Sequence, residues 1–423
     1  MHNWAGNFQY QAAALHEPQS VDELREIVRL RPRVRVLGTR HSFNSIADCP
    51  GGDLISLRRL NRVIRFDANP TQPTVTVQGG ITYGELCPQL HRGGWALHNL
   101  ASLPHISVAG ACATATHGSG DRNGNLATAI VAMKIVNAAG REIEVSPQTM
   151  GEKFRGMVVA LGALGPVTEL TLKIEPSYEV RQQVFLNLPV VQLQNHFDDI
   201  TSAADSVSLF TDWRTPAINQ VWLKQRFKNG HDPRPGPDFF GAIRATVHMN
   251  PLAELSADNC NEQLGIAGPW HHRLPHFRLD FTPSHGVELQ AEYFVPRRRA
   301  LEAIDAVYSL RGEISPILKI SELRTIAADE LWLSPCYHRD CLAIHFTWEQ
   351  DVDAVMAVLP KIENRLRDFG VRPHWGKLFT MNGPELEAAF ADRFASFRQL
   401  LLEYDPAGKF RNEFLNTAVF SNT

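Results

Sequence analysis

The sequence is short of the features that mark several large protein classes. It has no surplus of basic residues: 42 Lys and Arg against 45 Asp and Glu give a formal net charge of −3. Without a cationic face, nucleic acid is not expected as a partner. Cysteine is sparse, with six in 423 residues. Cys49, Cys87, Cys112, Cys260, Cys336 and Cys341 are scattered and form no CxxC pair, which suits neither a disulfide framework nor a zinc cage. No apolar run reaches the length of a membrane span. The opening Met1-His2-Asn3-Trp4-Ala5-Gly6-Asn7 lacks a basic region followed by an apolar stretch, so no secretory leader is expected. A cytoplasmic protein without membrane partners is the expectation. A nucleotide fingerprint is missing as well. Gly118-Ser119-Gly120-Asp121-Arg122-Asn123-Gly124 and Gly162-Ala163-Leu164-Gly165 lack GxGxxG spacing, which disfavours a nicotinamide-type Rossmann enzyme.

What is present is ordinary globular composition, 44% hydrophobic and 21% charged, at a length that suits two or three domains. The first part alternates short strands and helices. Ser20-Val21-Asp22-Glu23 reads as a capping box, and Leu24, Ile27 and Val28 give the following helix an apolar face. Strands are expected at 33–37, 53–57, 74–77 and 167–174. Thr82-Tyr83-Gly84-Glu85 opens a second helix that should stop near Gly93-Gly94. Ala138-Ala139-Gly140 signals a hairpin between strands at 130–137 and 141–145. After Pro176 the strands lengthen and alternate, at 184–188, 206–210, 220–225 and 287–295, around a Pro/Gly/His-rich stretch at 229–286. Helices are expected at 299–310 and 352–369. This style indicates a second, α+β domain with a large antiparallel sheet. The segment from Val371 has no allegiance by pattern alone.

Three groups of residues could carry chemistry. Ser107-Val108-Ala109-Gly110-Ala111-Cys112-Ala113-Thr114-Ala115-Thr116-His117-Gly118-Ser119-Gly120 is a run of very small residues. Such a run lets backbone N–H groups approach a pyrophosphate, and it serves equally as a tightly packed helix and turn. Glu322 and Arg324, His345 and Thr347, and Gln290 with Glu288 and Glu292 are each spaced two apart, so each set shares one strand face. That pattern describes a half-solvated sheet or the polar lining of a pocket. Trp270-His271-His272-Arg273-Leu274-Pro275-His276 raises a metal site. With no HExxH and no helix to fix the geometry, none is expected.

Five motifs in order carry a resemblance over the whole chain: Gly38-Thr39-Arg40-His41-Ser42-Phe43-Asn44, Leu103-Pro104-His105-Ile106-Ser107-Val108-Ala109-Gly110, Thr116-His117-Gly118-Ser119-Gly120, His374-Trp375-Gly376-Lys377 and Asp405-Pro406-Ala407-Gly408-Lys409-Phe410. Together they resemble the alditol (xylitol/sorbitol) oxidases, members of the vanillyl-alcohol-oxidase-like flavoproteins. The resemblance implies an α+β fold: a two-subdomain FAD-binding domain (1–176), a cap domain with a large antiparallel sheet flanked by helices (177–370), and a tail (371–423) returning to the FAD domain. It implies an oxidase taking a hydride from a terminal carbinol of a polyol such as xylitol or sorbitol, giving an aldose and, from O2, H2O2. A monomer acting on a small polyol is expected.

The resemblance also assigns roles. FAD would be covalent on His41, with Val36, Leu37, Gly38, Thr39, Arg40, Ser42, Ser107, Gly110, Thr114, Thr116, His117, Gly118, Val167 and His374 around it. Substrate would meet Ser107, Gln290, Glu322, Arg324, Thr347 and Lys377. Lys377, Arg324, Glu322 and His345 would be catalytic, with Glu322 holding Arg324. Flavin attachment needs a neutral imidazole, and Arg40 beside His41 disfavours imidazolium. Ala115 stands where the family pattern has glycine, and its methyl is expected to alter the approach to the flavin phosphates. Two other readings are a same-fold flavin dehydrogenase acting on sugars or aldonolactones with a non-oxygen acceptor, and a flavin- or sugar-binding protein with a decayed site. The joint presence of Glu322, Arg324 and Lys377 argues against decay.

Overall fold

The structure is a computed structural model, and it describes residues 1–227, 238–281 and 287–420. The Pro/Gly/His-rich stretch therefore lies partly outside the described residues. The chain opens with β1 (Ala14–His16), α1 (Val21–Leu30), β2 (Val34–Val36) and β3 (Asp53–Ile55). At the start of α1 the Ser20 hydroxyl accepts the Glu23 N–H. The Glu23 carboxylate reaches back one residue further, to the Gln19 N–H. Leu24 and Val28 are fully buried on this helix and pack with Val34 and Ile55. The three strands pair in parallel, in the order β1-β3-β2.

A second unit follows: β4 (Val63–Asp67), β5 (Thr74–Gln78), α2 (Tyr83–Arg92), α3 (Val108–Ala113), β6 (Ile130–Val136), β7 (Glu142–Val145) and β8 (Val167–Lys173). Thr82 and Glu85 form a reciprocal capping box on α2. Gly140, at φ 73°, closes the turn from β6 to β7. The five strands make an antiparallel sheet in the order β4-β5-β8-β6-β7.

Beyond Pro176 come β9 (Glu179–Pro189), β10 (Ser206–Thr211), β11 (Ala217–Phe227), β12 (Leu289–Pro296), α4 (Ala300–Tyr308), β13 (Leu318–Ile326), β14 (Cys341–Trp348), α5 (Val352–Leu366) and β15 (Arg372–Pro373). They run β9-β11-β10-β13-β14-β12-β15 in a ten-stranded antiparallel sheet. Leu323, Ile344, Phe346 and Trp348 point to one face and pack with Ala303 and Val307 of α4 and Val355 and Leu359 of α5. Every residue of β14 and all but Lys319 of β13 are buried, so the opposite, polar face is covered too rather than solvated.

β15 pairs with β12 at the sheet edge, and the chain then leaves the sheet. Trp375, Leu386, Phe390, Phe394 and Leu401 join the core that holds Leu86, Leu164 and Leu170. The Asp405 carboxylate accepts the N–H groups of Lys409 and Phe410, at 2.8 and 2.7 Å. That turn docks on β2: the Val34 N–H donates to the Lys409 carbonyl at 3.0 Å, and the buried Arg35 donates to the Phe410 carbonyl at 2.8 Å. Docking of this kind is a tertiary event and leaves no periodicity in the sequence. Among the described residues no helix is long and apolar enough to cross a membrane.

Candidate active site

The loop after β2 and the start of the tail are built as one piece. Asn44 Nδ2 donates to the carbonyls of Trp375 and Lys377, at 2.9 and 2.8 Å. The Phe43 N–H donates to the Gly376 carbonyl at 2.8 Å. The next residues bind the cap sheet, with the His374 N–H on the Glu292 carbonyl and the Leu378 N–H on the Gln290 carbonyl, both at 2.9 Å. Two motifs more than 300 residues apart thus bring His41 and Lys377 to the same cavity.

That cavity runs from the first two sheets to the polar face of the cap sheet. Val36, Leu37, Gly38, Thr39, Arg40, His41, Ser42, Ser107, Gly110, Thr114, Thr116, His117, Val167 and His374 line it, as do Gln290, Glu322, Arg324, His345, Thr347 and Lys377. Gly118 does not. Its Cα faces the Leu100 carbonyl, which an added Cβ would approach to 2.4 Å. Gly118 therefore serves packing behind the lining. Ala115 is likewise off the cavity. It is 1% exposed with φ 55°, so the family's glycine there answers a left-handed backbone. The expected effect of its methyl on the phosphates is corrected: the methyl faces the core.

One end of the cavity is walled by backbone and small side chains. An added Cβ at Gly79 or Gly80 would lie 1.8 Å from the carbonyl oxygen of Val167 or Leu57, so these two glycines let the wall's own backbone segments pack together. At Gly38 and Gly110 an added Cβ would meet Ser107 Oγ, at 2.8 and 2.7 Å. This narrow cradle of Gly38, Gly79, Gly80, Gly110, Gly162 and Gly165 with Ala109, Ala111 and Ala113 fits a dinucleotide, whose phosphates need close backbone approach. His41 lines the same cavity. Trp4 stacks on the His41 ring at 5.3 Å, and Nδ1 pairs with Thr39 Oγ1 at 3.1 Å. The His41 pKa is pushed down to about 4, first by burial and then by His105, with Arg40 contributing less. Burial rather than the neighbouring arginine keeps this ring neutral.

The other end is charged. Strand register sets Glu322, His345 and Glu292 in one transverse row across β13, β14 and β12, with Thr347 and Gln290 paired in the adjacent row. Glu292 is the hub. Its Oε1 lies 2.5 Å from Arg324 Nη2 and 3.3 Å from His117 Nε2, and its Oε2 lies 2.7 Å from Lys377 Nζ. Burial works against the Glu292 carboxylate, yet Lys377 and Arg324 outweigh it and hold its pKa well below the usual range. Arg324 Nε is 3.6 Å from Glu322 Oε2, so Glu292, not Glu322, is the closer partner of Arg324. Glu322 is also held low despite burial, by Arg324 and His276. Burial lowers the Lys377 pKa against the pull of Glu292. It also lowers His345 to about 4, with Lys377 adding to the shift. Lys377 Nζ is 2.7 Å from His345 Nδ1, and His345 Nε2 is 3.1 Å from Thr347 Oγ1.

Two residues of this end were missed in the sequence. Glu292 is a face-mate of Gln290 by spacing, but nothing local distinguishes a buried hub from a solvated glutamate. His276 belonged to the run weighed for metal. It is buried, and its Nε2 lies 2.9 Å from Glu322 Oε1. His91, His271 and His272 approach one another only ring to ring. Among the described residues no group of three or more His, Cys, Asp or Glu is arranged to hold a metal.

Residues 12–146 match the family described as FAD binding domain, and residues 287–418 match the family described as D-arabinono-1,4-lactone oxidase. The fold is that of a solvent-stable cholesterol oxidase, with a TM-score of 0.78 over 98% of this chain and 96% of that one at 16% identity. A small-residue cradle in an FAD-binding domain, closed by the polar face of an antiparallel cap sheet, defines an FAD-dependent oxidoreductase of the vanillyl-alcohol-oxidase type. The chain is 48% identical to an alditol oxidase from a Streptomyces species over 98% of its own length and 97% of the relative's. It is 28% identical to an L-gulono-1,4-lactone dehydrogenase of Mycobacterium tuberculosis, over 97% of each. The chain belongs to the alditol oxidase family.

Proposed function

We propose that this protein is a cytoplasmic, monomeric oxidase that converts a terminal carbinol of an alditol, such as xylitol or sorbitol, to the aldose. Residues 1–176 and 371–423 hold FAD, covalently through His41, and residues 177–370 form the cap over the substrate. The observation that carries the reading is the convergence of Lys377 and Arg324 on buried Glu292, at the end of the cavity that His41 also lines. FAD, when bound, supplies the hydride acceptor and passes the electrons to O2, giving H2O2. The chain's part is to bind the polyol and manage one proton and one developing charge. Ser107, Gln290, Glu322 and Thr347 present donors and acceptors to successive hydroxyls, and such a site rejects analogues that lack them. Alkoxide character at the reacting oxygen is stabilised by Lys377 and Arg324 in a water-poor site, where fixed charges act most strongly. Lys377, donating to Glu292 and to the lone pair of neutral His345 Nδ1, keeps a third N–H for the reacting oxygen. The hydroxyl proton leaves as the carbonyl forms, when the oxygen becomes acidic enough for the weakly basic His345 ring to receive it by way of Lys377. His345, donating from Nε2, leaves the Thr347 hydroxyl proton free to point at substrate.

The test is peroxide release by purified protein across xylitol, sorbitol, glycerol and a set of aldonolactones, with acid precipitation of the protein. Peroxide from polyols and flavin retained in the pellet are expected. The match of residues 287–418 to the D-arabinono-1,4-lactone oxidase family favours the lactone as the second reading. Turnover of lactones alone, with an artificial acceptor and no peroxide, would establish it.

A further inference from the structure

At the substrate end of the cavity a buried pair, Lys224 and His276, backs Glu322 and has no part in the proposed reaction. Lys224, on β11, is 1% exposed. Its Nζ has three acceptors around it: the carbonyl of Leu274, the carbonyl of Pro275 at 3.0 Å, and His276 Nδ1 at 3.0 Å. Burial lowers the Lys224 pKa to about 7, so below that pH the group is an ammonium with three N–H donors, and the carbonyl oxygens can only accept. All three hydrogens are therefore engaged, and His276 Nδ1 must offer a lone pair. The imidazole is neutral, because burial and then Lys224 depress its pKa to about 4. Its single proton is thus on Nε2, which faces Glu322 Oε1 at 2.9 Å. Phe210 and Trp222 pack edge-on against the ring, at 5.7 and 5.2 Å between centroids.

We propose that Lys224 and His276 are positioning residues for the polyol: Lys224 fixes the tautomer of His276, and His276 saturates one oxygen of Glu322, leaving the other as a single aimed acceptor for a substrate hydroxyl. The physical reason is that a buried carboxylate with two open oxygens can take a hydroxyl in several poses. One with Oε1 tied back and Oε2 flanked by Arg324 takes it in one. Holding the substrate in one pose sets which carbon reaches the hydride acceptor, and small misplacements there cost rate steeply. This inference rests on the polyol reading for its kinetic part only.

The first test reads the ring directly. In protein labelled with 15N-histidine at pH 6, the His276 signals, identified by their loss in His276→Gln, should show a protonated Nε2 and an unprotonated Nδ1. Lys224→Met should disturb that pattern. A wild-type ring protonated on Nδ1 would overturn the proposal. The second test is anaerobic flavin reduction by xylitol. Lys224→Met and His276→Ala should each lower the second-order rate about tenfold or more, the range for a lost hydrogen bond to a charged group. His276→Gln should recover part of it, since its amide offers both a donor to Glu322 and an acceptor to Lys224. In a Glu322→Gln background, His276→Ala should change the rate less than about twofold. Full additivity would overturn the dyad while leaving the polyol reading intact. A wild-type flavin that no polyol reduces would instead sink the polyol reading, and the tautomer measurement would then decide the dyad alone.

Discussion

Lys377 Nζ and Glu292 Oε2 stand 2.7 Å apart in a site where Glu292 is 1% exposed. Glu292 binds Arg324 with its other oxygen, so one carboxylate bridges both cations assigned to the chemistry. Glu292→Gln removes that charge and leaves two buried cations sharing only Glu322. Breaking a buried ion pair from one side costs about 3–5 kcal/mol, and Lys377 should lose its proton more readily once the charge that raises its pKa is gone. Chemical denaturation should show a loss in that range, together with slowed flavin reduction. Wild-type stability in Glu292→Gln would mean that the hub holds nothing together.

Lys377→Met and Arg324→Ala should slow anaerobic flavin reduction by polyol about 10²-fold or more, the scale for loss of a charge-stabilising donor. Flavin content should stay at the wild-type level, because both side chains end on Glu292 of the cap sheet. If both variants reduce at near-normal rates, the pair is a structural ion cluster and the chemistry sits elsewhere.

His41→Ala should yield protein whose flavin is lost on acid precipitation, or no yellow protein at all. The neutral ring, stacked on Trp4 and tied to Thr39, is the motive. Wild-type flavin that washes free on denaturation would remove the covalent claim.

Much of the cofactor end was legible because its constraints are local. A strand, a glycine and a small-residue run are written in consecutive residues, and capping at Thr82 and Glu85 follows from spacing alone. The strand faces of β13 and β14 were legible for the same reason, since Glu322 with Arg324 and His345 with Thr347 obey a period of two. What faces them was not. Glu292 became the hub through register between β12 and β14, and His276 entered from an irregular loop whose path has no period. The tail's attachment to β2 depends on Arg35 meeting the Phe410 carbonyl across 375 residues, which no window of sequence can show.

Ala115 offers a test of the backbone argument. Its left-handed φ of 55° costs alanine about 1–2 kcal/mol relative to glycine. Ala115→Gly relieves that, loses about 0.8 kcal/mol of buried methyl, and adds about 0.4–1 kcal/mol of freedom to the unfolded chain. The terms nearly cancel, so a stability change within about 1 kcal/mol and unchanged flavin content are expected. Lost flavin in this variant would show that the methyl does bear on the cofactor.

The last prediction concerns acid. His98, His276 and His345 are each depressed from the ordinary 6.5 to about 4, with burial the leading cause in all three. Below pH 6.5 the unfolded chain binds protons at these rings that the folded protein refuses. The stability these rings contribute is therefore full above pH 6.5 and is lost as pH falls from there through about 4, by up to about 1.4 kcal/mol per pH unit for each ring. Glu292 and Glu322, both held low, extend the loss below the ordinary carboxylate range, because protonating them breaks the cluster. Melting temperature should fall steeply between pH 6.5 and 4.5, and above pH 7 it should rise further, because buried Lys224, lowered to about 7, sheds there a proton that the unfolded chain keeps. His345→Gln, which cannot take up a proton in either state, should flatten the acid limb relative to wild type. A wild-type melting temperature that rises on acidification across this window would contradict the buried, neutral state of these histidines.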